Sequence, residues 1–187
     1  ITSIKNFSEI KNKIKKVNEL PKITEEDLVK KVSCKKIYSP FKKFKNLSAF
    51  KKNSFYEYPK KNKFKVVVID CGCKYNILRL LKERGCDISV VPSDTSSEKI
   101  LSYKPDGIFL SNGPGNPQKV PYVFKTVEQI VKYEQKTKDF IPIFGICLGH
   151  QMLAIAFGGK TYKLKFGHHG TNHPVKNLQT NKIEITS

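Results

Sequence analysis

At 187 residues, 39% of them hydrophobic, the chain is long enough for one domain with a real core and too short for a comfortable second one. No apolar run approaches the roughly 20 residues that cross a bilayer, no charged-apolar-small leader opens the chain, and five cysteines, an odd number, argue for free thiols in a reducing, cytoplasmic setting. The formal charge of +19 invites a nucleic-acid reading, but residues 1–65 hold 19 lysines against 6 acidic residues, while residues 66–187 hold 16 basic against 10 acidic. The lysines of the first third are scattered among Asn and Ser with no zinc spacing, recognition helix or glycine-aromatic motif, so they read as a solvated face or linker with no nucleic-acid partner.

In chain order, residues 1–62 form a lysine-rich connector, and a second unit runs from 63 to 187. Within the connector, Ile4, Phe7, Ile10, Ile14 and Val17 fall at helical spacing and predict one amphipathic helix ending near Pro21. A shorter helix is expected from Thr24 to about Val32, with Thr24 and Asp27 as a capping box that uses the shorter acid. From Ser33 to Lys63, aromatics (Tyr38, Phe41, Phe44, Phe50, Phe55, Tyr56, Tyr58) stand among lysines with breaks at Pro40 and Pro59. This is a tethered connector with sticky points.

At Phe64 the pattern changes. Phe64 to Asp70 is a β-branched run of the kind buried on both faces of a parallel sheet. It is followed by a Cys71-Gly72-Cys73 turn and helical spacing from Tyr75 to Arg84. Further strands are expected at Asp87–Val91 and Gly107–Leu110, with a short helix at Ser96–Ser102 between them and a longer one from about Val120 to Lys136. The run Ile141 to Gly145 predicts another buried strand, and Gln151 to Phe157 a helix stopped by Gly158-Gly159. Alternating strands and helices imply an α/β fold: an open, doubly wound, mostly parallel sheet with helices on both faces, whose ligands bind beyond the carboxyl ends of the strands.

Three turns lie at that edge, and one carries Gly145-Ile146-Cys147-Leu148-Gly149. A cysteine on a sharp strand-to-helix elbow sits in a strained backbone that needs small flanking residues, and the N-terminal amides of the next helix favour its ionised, nucleophilic sulfur. The plain alternative is a buried structural cysteine beside a helix cap. The loop Ser111 to Pro117 holds two glycines and two prolines, enough to fix its amides as an oxyanion site facing Cys147, or to make an ordinary βα turn. Cys71-x-Cys73 has no second pair at zinc spacing and reads as core and turn. His168, His169 and His173 have no acidic or thiolate companion, so a structural loop is preferred to a metal site. Cys34 and Cys86 read as packing residues.

With those residues in view, the chain resembles the class I, triad-type glutamine amidotransferases, and among them the amidotransferase domain of glutamine-dependent carbamoyl-phosphate synthases. The resemblance spans Phe64 to Ser187 through Asp70 to Ile77, Arg84-Gly85-Cys86, Phe109 to Pro117, Phe144 to Gln151, Lys165 to Gly170 and Asn172 to Val175; residues 19–38 resemble the segment that joins the preceding domain to the amidotransferase domain. It implies glutamine hydrolysis with Cys147 as nucleophile, amides near Gly113 or Gly115 and of Leu148 as oxyanion donors, and Gln151 in contact with glutamine. It also implies ammonia passing to a synthetase, as a large subunit or as fused domains, that makes carbamoyl phosphate from bicarbonate for pyrimidine or arginine synthesis. No Walker lysine loop appears, so this domain is expected to hold no cofactor, and ATP and Mg belong to the synthetase. The family's general-base histidine and its carboxylate lie in a His-Pro-Glu stretch downstream of Ser187, so the amidotransferase domain is expected to be truncated here. A non-catalytic docking or regulatory module is the alternative.

Overall fold

A computed structural model describes residues 7–20, 25–41, 61–167 and 172–186. The expectations resting on Ile4, Thr24, Phe44, Phe50, Phe55, Tyr56, Tyr58, His168 and His169 lie outside the described residues. Four strands, β1 (Phe64–Asp70), β2 (Cys86–Pro92), β3 (Gly107–Leu110) and β4 (Ile143–Gly145), form one all-parallel sheet in the order β2-β1-β3-β4. The helices are α1 (Phe7–Asn18), α2 (Val29–Val32), α3 (Tyr75–Glu83), α4 (Ser97–Leu101), α5 (Pro121–Thr137) and α6 (Leu148–Ala156). A two-stranded antiparallel ribbon, β5 (His173–Lys176) with β6 (Ile183–Thr186), follows.

The sheet forms where the sequence is densest in β-branched residues. Successive side chains on a strand point to opposite faces, so a run buried throughout must be covered on both. Val67, Val68 and Ile69 are each at most 1% exposed. Val67, Ile69, Ile108 and Leu110 pack with Ile100 of α4, Val123, Val127 and Ile130 of α5, and Leu148 and Met152 of α6. Val68, Ile88, Val90 and Phe109 pack on the other side with Leu78 of α3. Each fully buried aliphatic side chain stabilises the fold by about 1.5–3 kcal/mol. The doubly wound architecture expected from the alternation is the one present. Register aligns Ile69 with Leu110 and Leu110 with Gly145, so the loops leaving β1, β3 and β4 emerge side by side at one edge.

Two elements differ from expectation. The second connector helix starts at Val29, because Asp27 accepts the Lys30 amide at 3.0 Å and the Tyr122 hydroxyl at 2.9 Å instead of sitting inside the first turn. The 141–145 run is not a fully buried strand: β4 pairs only with β3 among the described residues and lies at the sheet edge, leaving Phe144 62% exposed.

Residues 25–41 are docked on the sheet. Val29 is fully buried in the core beneath α5 and α6. Tyr38 and Val90 exchange backbone hydrogen bonds of 3.0 and 2.8 Å, adding an antiparallel bridge to β2. Phe41 stacks at 6.2 Å on Tyr75 of α3, so two of the aromatic sticky points have identified partners.

Beside β4 a cavity of about 550 Å³ opens between α5 and α6, lined by Val131, Glu134, Gln135, Lys138, Ile143 and Leu153 among others. Glu134 is buried there and accepts the Ile141 amide at 3.3 Å. Burial pushes its carboxyl above the ordinary 4.5, with the Ile141 hydrogen bond opposing. A raised carboxylate favours folding most below its unfolded pKa, and that contribution is lost as pH rises through the folded value. Glu134→Gln keeps an acceptor for Ile141 and removes the charge. Its thermal midpoint is expected to exceed the parent's at pH 8, with the gap closing by pH 4; a lower midpoint at pH 8 would contradict the assignment.

Candidate active site

β4 ends at Gly145, Ile146 donates its amide to Leu110 O at 3.1 Å, and α6 begins at Leu148, three residues earlier than the periodicity alone indicates. Between them Cys147 has φ 53° and ψ −110°, a region that a side-chain-bearing residue enters only when its surroundings compel it, at a cost of about 1–3 kcal/mol. The compulsion is visible in the flanking glycines. A Cβ on Gly145 would lie 2.5 Å from the Gly149 carbonyl carbon, and one on Gly149 would lie 2.3 Å from Leu110 O. Strand, helix and neighbouring strand tip thus meet at distances that only hydrogen side chains permit. The outcome is an exposed thiol at the carboxyl edge of the sheet.

Of the first-turn amides in α6, Gly149 donates to Ile146 O at 3.0 Å and Gln151 to Cys147 O at 3.1 Å. The Leu148 amide belongs to the set that a helix cannot satisfy from within. Gly113 sits directly over this residue: a Cβ there would stand 2.9 Å from Leu148 Cδ2 and 2.2 Å from Cys71 O. The structure thus sets Gly113 against the side chain of Leu148, the residue that follows Cys147. At Gly115, φ +92°, the position a Cβ would take lies toward Leu28. Gln151 is exposed on α6, one turn from Cys147.

The loops after β1 and β3 are tied to each other. Ser111 Oγ, fully buried, accepts the Cys71 amide at 2.8 Å and donates to Asn112 O at 2.8 Å. Asn112 accepts the Lys74 amide at 2.9 Å and donates to Gly72 O at 3.2 Å. Such bonds hold a loop's backbone amides in one arrangement before any ligand arrives. The family model described as glutamine amidotransferase class-I matches residues 67–187, from the middle of β1 through both of these loops, the elbow and the ribbon. The chain belongs to the class-I glutamine amidotransferase family. The carbamoyl phosphate synthase small chain of Buchnera aphidicola subsp. Baizongia pistaciae is 49% identical over 185 residues, covering 98% of this chain and 44% of that protein. The small chain of Buchnera aphidicola subsp. Acyrthosiphon pisum is 48% identical over 183 residues, covering 97% and 44%. That of Chlorobaculum tepidum is 55% identical over 125 residues, covering 67% and 33%. The chain spans less than half the length of these relatives.

Against this class-I amidotransferase frame the remaining candidates separate. Burial, reinforced by the Asp70 carboxylate, pushes the thiols of Cys34, Cys71 and Cys73 up to about 12, and burial also raises Cys86. These four are held as thiols at neutral pH, whereas Cys147 is the exposed cysteine of the five. Among the described residues no group of three or more His, Cys, Asp or Glu side chains is placed to hold a metal ion. His173 opens β5, in register with Thr186. Also among the described residues, no helix is long and apolar enough to cross a membrane. Two contributors stand in stretches singled out from the sequence but had no role assigned there: Ser111, an ordinary serine until its loop is placed beside Cys71, and Asp70, whose carboxylate receives amides from the β1 turn and from the connector.

Proposed function

We propose that this chain is the glutamine-hydrolysing part of a carbamoyl-phosphate synthase. The observation that carries the reading is the exposed Cys147 on a strained elbow, followed by the first amide of α6, with Gly113 set against Leu148. The thiolate of Cys147 attacks the side-chain carboxamide carbon of glutamine; a sulfur–carbon bond forms as the carbonyl electron pair moves onto oxygen. The amides of Leu148 and of Gly113 or Gly115 receive that oxyanion. Collapse of the intermediate breaks the carbon–nitrogen bond, the nitrogen leaves as ammonia after taking up a proton, and water then cleaves the glutamyl thioester to glutamate and free thiol. Gln151 contacts the bound glutamine. The family's base histidine and its carboxylate, outside the stretch described here, move the protons.

Ammonia released into water is protonated and loses its nucleophilicity, so it passes directly to a synthetase that uses bicarbonate, ATP and Mg; no cofactor is assigned to the amidotransferase part itself. That synthetase is a partner subunit or a fused domain, and the small-chain names of the relatives favour the former. The setting is the cytoplasm, and the carbamoyl phosphate serves pyrimidine or arginine synthesis. The high identity to small chains, extending through the connector, favours this over a non-catalytic docking module.

A glutamine-like electrophile, a diazo or chloro ketone, is expected to label the full-length protein once, at Cys147, with excess glutamine protecting. Peptide mapping reads the site. Labelling at Cys71 or Cys86 in place of Cys147 would sink the reading, because those thiols are buried and disfavour the anion.

A further inference from the structure

We propose that connector residues 26–34 are a positioning element of the hydrolytic site: Leu28 and Val32 back the 112–117 loop, and Asp70 latches the segment to the turn on which that loop rests. The proposal deepens, and depends on, the reading of Cys147 as nucleophile with the 112–117 loop as its oxyanion partner.

The contacts run in one continuous path. On its inner side the loop touches the elbow through Gly113 and Leu148. On its outer side Leu28 and Glu26 flank Gly115: a Cβ added there would stand 3.6 Å from Leu28 Cβ and 3.8 Å from both Glu26 O and Leu28 Cδ1. A Cβ added at Gly72 would stand 2.9 Å from Val32 Cγ2 and 3.2 Å from Pro114 Cδ, so the half-exposed Val32 and the loop's Pro114 both lie against the β1 turn. Asp70, only 6% exposed, joins the pieces: Oδ1 accepts the Gly72 and Cys73 amides at 2.9 and 2.8 Å, and Oδ2 accepts the Cys34 amide at 2.8 Å. The segment is itself pinned at both ends of α2. Val29 is fully buried, Asp27 holds Tyr122 and the Lys30 amide, and Ser33 Oγ accepts the Ser93 amide at 2.9 Å.

Asn112 and Asn116 tie the two ends of the loop through their side chains, but Gly113 and Gly115 between them have no side chains with which to fix their own amides. An oxyanion donor works when it stands about 2.7–3.1 Å from the developing charge, and a displacement of about 1 Å made away from the chemistry costs up to about 10²-fold in rate. Leu28 and the Glu26 carbonyl stand behind this loop at Gly115, and Val32 stands against the turn that Asn112 ties to it, so in this proposal they act by holding the loop against Leu148.

The test uses the full-length protein with its synthetase. Leu28→Ala keeps Cβ and removes Cδ1 and the rest of the branched group that stands behind Gly115. Asp70→Asn keeps an oxygen for Gly72 and Cys73 but turns a donor toward the Cys34 amide, releasing the connector alone. Each variant is expected to lose about tenfold in kcat for glutamine hydrolysis with KM within about twofold, while iodoacetamide alkylates Cys147 at the parent rate. Leu28→Met, which refills the space, restores kcat. Parent kcat in folded Leu28→Ala and Asp70→Asn overturns the proposal, as does a loss that methionine fails to rescue. If the parent protein hydrolyses no glutamine and takes no glutamine-like label at Cys147, the underlying reading has failed, and the proposal with it.

Discussion

Cys147→Ser in the full-length protein is expected to remove glutamine hydrolysis by about four orders of magnitude or more, with little change in thermal stability. Serine is nearly isosteric, so the elbow at φ 53° keeps its shape and the approach of Gly145 to Gly149 is undisturbed. What disappears is the chemistry. A thiol ionises within reach of neutral pH, whereas an alcohol needs a base able to strip it during attack, and a base tuned to a thiol is poorly matched to that task. The same variant is expected to support synthesis from added ammonia at the parent rate, because in the proposed mechanism ammonia enters after the step assigned to Cys147. Loss of both the glutamine-driven and the ammonia-driven reactions in a folded variant would assign Cys147 a structural role. Retention of both would move the nucleophile elsewhere.

The parts of the molecule that were legible in the sequence are those where short-range pattern and burial coincide. Val66 to Ile69 could be read as a doubly covered strand because no polar residue interrupts it, and β1 occupies the expected Phe64–Asp70. The elbow was legible for a different reason. Gly145 and Gly149, spaced four apart around a cysteine, mark a turn whose two arms nearly touch, and the 2.5 Å and 2.3 Å approaches are the physical content of that spacing. Burial of β4 was misjudged because an apolar run looks the same whether a sheet continues past it or stops there; Phe144 shows that it stops among the described residues. Of the docking of residues 25–41, the sticky aromatics Tyr38 and Phe41 were legible but their partners were not. The segment's contacts cross long sequence separations, from Tyr38 to Val90 between backbones and from the Cys34 amide to the Asp70 carboxylate, and neither partner's residue type names the other. Glu134 escaped notice similarly, since an acid in an amphipathic helix normally faces water and this one is turned into the groove beside β4.

Gly149→Ala gives the second large effect, and two opposing terms predict its sign. Gly149 lies in the first turn of α6, where alanine's higher helix propensity favours the substitution by up to about 1 kcal/mol. Against this, the new methyl carbon would sit 2.3 Å from Leu110 O and 2.8 Å from Leu110 Cβ. The obstacle is β3 backbone, fixed by its pairing with β1 and β4, so it cannot swing aside as a flexible side chain would. Overpacking of a core contact costs about 1–3 kcal/mol and more where backbone must move, so the clash wins. The variant is expected to unfold at lower denaturant by about 2 kcal/mol or more, and to lose most glutamine hydrolysis even where it remains folded, because the relief available is to slide α6 away from β3 and carry Leu148 with it. Gly107→Ala is the matched comparison: its new carbon meets only Pro142 O, at 3.6 Å, and its backbone needs no positive φ. It is expected to be neutral or slightly stabilising in the same denaturation experiment, since alanine restricts the unfolded chain more than glycine does. Equal stability of the two variants would show that the elbow tolerates slack between helix and strand, and that the glycine spacing which marks Cys147 in the sequence is not a packing requirement.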